Sequence, residues 1–149
     1  MPVWVPVLLV MMATGVTAHE VNSQQGASNQ VAGRQSMGQN LALYVDSVSS
    51  YATINPAYSG TVSDVSLGLP SWFTKHPDLH HVIENGRAFV YIVPSPAMRS
   101  IGDVLAGAPT LNPKKIGTAR QGKLWSPIEA APIHDLPNVV PSNAIVYAM

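Results

Sequence analysis

The sequence has no cysteine in its 149 residues. This excludes disulfides, thiolate nucleophiles, cysteine-ligated metals and a lipid-modified N-terminal cysteine together. The fold must therefore be held by packing and hydrogen bonds alone. Charge is also scarce: 11% of residues are charged, 8 Lys plus Arg balance 8 Asp plus Glu, and the formal net charge is zero. With no basic block to neutralise a run of phosphates, nucleic acid is not an expected partner. Low charge with much Ser, Ala, Val and Asn is more typical of an exported domain than of a cytosolic enzyme.

Reactive motifs are missing as well. No glycine-flanked serine forms a nucleophile elbow, and Gly102, Gly107 and Gly117 belong to no phosphate-cradling loop pattern. The acids Glu20, Asp46, Asp64, Asp78, Glu84, Asp103, Glu129 and Asp135 are scattered without a helical i, i+3 pair. Asp46, Asp78 and Asp103 read best as solvated or capping groups. No cofactor and no enzymatic activity are expected.

One long apolar run is present. Residues 3–18 carry no charge and include Val3, Leu8, Leu9, Val10, Met11 and Met12. As a helix the run spans about 24 Å, short of a hydrocarbon core of about 30 Å. Val16-Thr17-Ala18 would suit a signal peptidase cutting after Ala18, yet no Lys or Arg precedes the run. The first basic residue is Arg34, so the positive-inside rule has little to count. The residues leave cleaved signal and retained anchor open. Residues 19–35, HEVNSQQGASNQVAGRQ, are polar without a hydrophobic face and read as a tether.

The remaining chain, 36–149, has room for one domain with a modest core. Met37, Leu41, Tyr44, Val45, Val48, Tyr51 and Ala52 recur at three and four residues, predicting an amphipathic helix over 31–54 that Asn55-Pro56 ends. Ser63 is expected to cap a short turn through Leu67, after which Gly68-Leu69-Pro70 delivers Trp72 and Phe73 to close one end of the core. A short helix is expected from Pro77 to Asn85, with Leu79, Val82 and Ile83 on one face and Gly86 at its C-terminal cap. Residues 88–93 form a β-rich run, and Pro96 is expected to open a helix carrying Met98, Ile101, Val104 and Leu105 to Gly107. Residues 115–120 and 123–126 flank Gln121-Gly122 as a hairpin, and 144–148 supply a last strand. The expected fold is α+β: a long N-terminal helix packed on a small, mostly antiparallel sheet with two short helices.

Two groups of residues are candidate sites. His76, His80 and His81 lie close together in KHPDLHH, and His76 with His80 would share one face of a helix as metal ligands. A third ligand with forced geometry is not apparent, and exposed neutral histidines are common. Among the aromatics, Trp125 beside Pro127 is the expected exposed group at a partner surface.

The order of features carries a resemblance: a short apolar start, QNLALYVDSVSSYATINP, GTVSDVSLGLPSWF, GRAFVYI, a basic hairpin with KLWSP, and a terminal SNAIVYAM. It resembles the small PilM proteins of plasmid-type thin (type IVB) pili, which are unrelated to the actin-like cytoplasmic proteins of that name. The resemblance implies an inner-membrane protein of pilus biogenesis with a periplasmic domain, without cofactor or catalytic residues. It favours an anchor for the apolar start. Its implied partners are other pilus assembly proteins or pilin, with the membrane held through the N-terminal segment. Two alternatives differ in kind: a pilin or minor-pilin-like subunit, and an exported ligand-binding or hydrolytic domain using His76, His80 and His81.

Overall fold

A computed structural model describes residues 37–95 and 100–149. The expected anchor with Val3, Leu8, Leu9, Val10, Met11 and Met12, the tether 19–35, and Pro96 and Met98 lie outside the described residues. Helix α1 is helical through residues 37–54. It buries Met37, Leu41, Tyr44, Val45, Val48 and Ala52, the stripe that the three-and-four spacing predicts. Asn55 ends it, its backbone N–H and its side-chain amide both bonding the Tyr51 carbonyl at 3.0 Å. Pro56 follows and cannot continue the ladder.

Six strands form one sheet: β1 (Leu79–Glu84), β2 (Arg87–Ile92), β3 (Ile116–Arg120), β4 (Lys123–Trp125), β5 (Pro132–Asp135) and β6 (Ile145–Ala148). Their order is β1-β2-β6-β3-β4-β5, and every neighbouring pair is antiparallel. Helix α2 (Ile101–Gly107) and a 3-10 turn (Pro113–Lys115) lie between β2 and β3. The last strand in sequence thus sits at the centre of the sheet. A tail that is buried on both sides ties the two hairpins together.

The two faces of the sheet bury different residues. Leu79, Ile83, Val90, Ile92, Ile116, Ile145 and Tyr147 join the α1 stripe and Val104 of α2 in the main core. Val82, Phe89, Ala119, Leu124, Val146 and Ala148 form a second cluster with Leu136, against which Ile133 of β5 packs. Two buried faces explain one error of the sequence reading. Residues Pro77 to Asn85 are not a helix: 79–84 are strand β1, paired with β2 from Leu79↔Ile92 to Glu84↔Arg87. Because Leu79 and Ile83 serve one core and Val82 the other, their 79/82/83 spacing imitates a helical stripe. Gly86 is accordingly no helix cap. With Asn85 at φ 51° and Gly86 at φ 75°, the pair makes the two-residue turn of the β1–β2 hairpin.

Other boundaries moved for local reasons. Helix α2 begins at Ile101 because Ser100 is extended and its hydroxyl oxygen accepts from the Asp103 N–H, capping the helix. Ser63 does cap a turn, with its Oγ accepting from Ser66 N–H at 3.3 Å, and Leu67 is buried beyond it. Phe73 packs on the core, but Trp72 does not close it: that residue is 74% exposed. The Gln121-Gly122 hairpin is present, with φ values of 52° and 70°. Strand β5 was not expected; it is short, begins with proline and pairs with β4 through a bulge opposite Leu124 and Trp125. No helix among the described residues is long and apolar enough to cross a membrane.

Candidate functional site

The polar groups that converge most closely come from α1, β1 and the segment joining them. Helical spacing puts Tyr44 in the buried stripe of α1, with none of it exposed, and alternation on β1 turns His81 toward the same side. The connecting segment is bound to the edge of β1 by Gly60, which exchanges two backbone hydrogen bonds with Ile83 at 2.7 and 2.9 Å. From there it carries Asp64 and Lys75 back over Tyr44.

Hydrogen bonding fixes the protonation of this cluster. The Val62 N–H donates to Nε2 of His81 at 2.9 Å, so Nε2 must present its lone pair. In the neutral ring the proton then sits on Nδ1, which donates to the Tyr44 hydroxyl at 2.8 Å. Tyr44 in turn donates to Oδ1 of Asp64 at 3.2 Å, and the Lys75 ammonium closes the chain on the Asp64 carboxylate at 3.1 Å. Lys75 also lies 5.5 Å from the centre of the Tyr44 ring, and Phe73 stacks on that ring at 6.2 Å and 7°.

These surroundings decide what the groups can do. Burial, then the Asp64 charge and hydrogen bond, push the Tyr44 phenol well above its ordinary range, so it stays protonated and acts as a donor. Burial, then the Lys75 charge, lower the His81 pKa and keep the ring neutral. Both of its nitrogens are occupied, which leaves no free lone pair for a general base. Asp64 is committed to Lys75 and Tyr44. The chain of bonds holds the connecting segment to helix and sheet. A shallow cleft of about 310 Å³ opens beside it, lined in part by Asp64, Lys75, His80 and Tyr91.

Of the three histidines singled out in the sequence, His80 and His81 border the same cleft while His76 is not among its lining residues. Strand geometry sends His80 and His81 to opposite faces, and His80 is exposed and stacked on Tyr91 at 5.4 Å. His76 accepts from the Asp78 N–H at 3.3 Å, and no helix places it over His80. Among the described residues no group of three His, Cys, Asp or Glu side chains is arranged to hold a metal. Trp125 is only partly exposed, and its Nε1 is buried without a hydrogen-bond partner among the described residues; Pro127 beside it is exposed. Among the described residues the large exposed aromatic is Trp72, at 74%, and Val65 on the same segment is 93% exposed. The spacing of α1 marks Tyr44 as buried, but no sequence signal joins it to His81, Asp64 and Lys75, since these partners lie 11 to 37 positions apart.

Fold and cluster together define a small α+β domain in which buried polar groups fasten a connecting segment to a helix-on-sheet core. A crystal structure of a PilM protein from Escherichia coli B7A shares this fold, with a TM-score of 0.60 and 22% identity over 80% of this chain and 94% of that one. A pilM protein from Pseudomonas aeruginosa 2192 aligns at 28% identity over 78% of this chain and 92% of that one, with a TM-score of 0.44. No curated protein matches. The PilM family profile covers residues 7–148, and the chain belongs to the PilM family of pilus-related proteins.

Proposed function

We propose that this chain is a biogenesis component of the type IV (thin) pilus. Residues 3–18 anchor it in the inner membrane, and the domain from residue 36 works in the periplasm through contacts with other pilus assembly proteins or pilin. Family membership supports the pilus role. The polar cluster supports positioning in place of catalysis, because its donors and acceptors are spent on one another.

One observation carries the choice of surface. Val65 and Trp72 are 93% and 74% exposed, yet they sit on a segment fixed by Asp64, Lys75 and the Phe73–Tyr44 stack. Large apolar groups held out on a pinned segment suit a partner contact, where tryptophan is enriched. The β5 edge suits it less: it is four residues long, bulged, begins with Pro132 and carries the Lys123–Asp135 pair, features that discourage strand addition.

Photo-crosslinkers at positions 65 and 72 in piliated cells test this reading. The expected result is an adduct with an assembly protein or pilin that is missing when the crosslinker is placed on the exposed Lys123 side chain. Equal yields at all three positions would remove the surface. Alkaline carbonate extraction checks the anchor: release of a shortened chain beginning at His19 would show a cleaved signal. Recovery from sheared filaments would mark a pilin-like subunit.

A further inference from the structure

The buried imidazole of His81 has a role that a purely packing residue would not. It is 5% exposed, and its Nε2 accepts the only hydrogen bond that joins the Val62 N–H to β1 among the described residues. We propose that His81 is a proton-operated pin: neutral, it holds residues 61–73 against β1 and α1, and protonated, it releases them.

Protonation sets donor against donor. A backbone N–H can only donate, so a proton on Nε2 would set two N–H groups against each other across 2.9 Å. One must withdraw, and β1 is the less movable side because it is paired along its length with β2. The moving side is the segment. It is bounded by the Gly60–Ile83 bridge at one end and, at the other, by the Asn40 amide donating to the Thr74 carbonyl at 2.8 Å. Both stay in place when His81 is protonated, so the change is confined to the stretch between them. Within it Val62 and Leu67 are buried and lose cover, while Val65 and Trp72 lose their fixed setting.

The ionisable groups around His81 come from every side: Tyr44 on α1, Asp64 and Lys75 on and beyond the segment, His80 on β1 and Tyr91 on β2. Lys75 and His80 oppose a second positive charge. Asp64 favours one, but Lys75 already holds its carboxylate at 3.1 Å and the Tyr44 hydroxyl stands between it and the ring. Burial disfavours the charge further. A histidine with this set of neighbours converts a fall in pH into a local opening, the behaviour expected of a proton switch. The pin is a property of the fold and holds whether or not residues 65 and 72 contact a partner.

Two measurements on the full chain test it. Imidazole ¹⁵N spectra at about pH 7.5 should show His81 carrying its proton on Nδ1 alone; a proton on Nε2 would overturn the proposal. Hydrogen exchange, corrected for intrinsic rates, should show protection of residues 61–73 falling by about tenfold or more between about pH 7.5 and pH 5, and by more than the protection of β2 and β6 falls. His81→Gln offers a carbonyl oxygen to Val62 and does not titrate, so it should abolish the pH dependence. Equal protection at both pH values in the unaltered chain, or the same fall in His81→Gln, would overturn the pin.

Discussion

Tyr44 and His81, 37 positions apart, are joined by a buried 2.8 Å hydrogen bond with their rings edge to face at 5.6 Å. Through this bond helix α1 and strand β1 are connected to the Asp64–Lys75 pair on the segment between them. The half-exposed ion pair alone contributes little, about 0–1 kcal/mol. Its place at the end of a buried chain of donors gives it a positional role.

Tyr44→Phe keeps the ring and its stack on Phe73 but removes the hydroxyl, leaving Nδ1–H of His81 without an acceptor. A buried donor stripped of its partner costs about 1–3 kcal/mol. The variant is expected to fold with a urea midpoint lowered accordingly, and an unchanged midpoint would show that water or another group replaces the hydroxyl.

Stability should fall in mild acid. The folded state lowers the His81 pKa below its ordinary 6.5, so the unfolded chain binds the proton more readily. The contribution is fully present above 6.5 and is lost as pH falls below it, by at most about 1.4 kcal/mol per pH unit, until the folded-state pKa is passed. Urea denaturation across this range should show the slope, and His81→Gln should flatten it. At the alkaline end Tyr44, whose pKa is raised by burial and by Asp64, gives the opposite sign, with stability lost as pH rises past 10.

Gly38→Ala should destabilise the domain, although alanine in place of a helical glycine ordinarily adds about 0.5–1 kcal/mol. A Cβ at position 38 would fall on the Gly107 backbone at the end of α2. Backbone cannot swing aside as a side chain can, and overpacking of this kind costs about 1–3 kcal/mol. A lowered melting temperature is the expected result, and a raised one would show that α1 and α2 do not approach this closely.

Trp72→Ala separates interaction from stability. The side chain is exposed, so folding stability should change by no more than about 0.5 kcal/mol. Piliation should nevertheless be reduced if the segment is the docking surface. Normal piliation with normal stability would assign the contact elsewhere.

Much of the architecture was legible because its signals are local. The α1 stripe is a periodicity within a single helix, and its stop is written as Asn55-Pro56. The Gln121-Gly122 turn announces a hairpin through the positive φ that both positions adopt. The order of these features was enough to indicate the family that the PilM profile then matched over residues 7–148. Strand β1 was misread because burial on both faces erases the alternation that marks a strand, and β5 because a proline-led stretch of four residues has too little pattern to register.

The sequence by itself determined that cysteine chemistry is unavailable, that the long helix carries its buried stripe to a stop at Asn55, and that the class is α+β. These are properties of composition and of neighbours three or four residues apart. Only the tertiary structure decided that His81 joins Tyr44, Asp64 and Lys75 in one chain of polar contacts, and that Trp72 stands more exposed than Trp125. Those outcomes depend on the face of β1 on which each side chain emerges and on the path of the segment across α1. Both are set by packing between residues distant in the chain, and no short-range pattern encodes them.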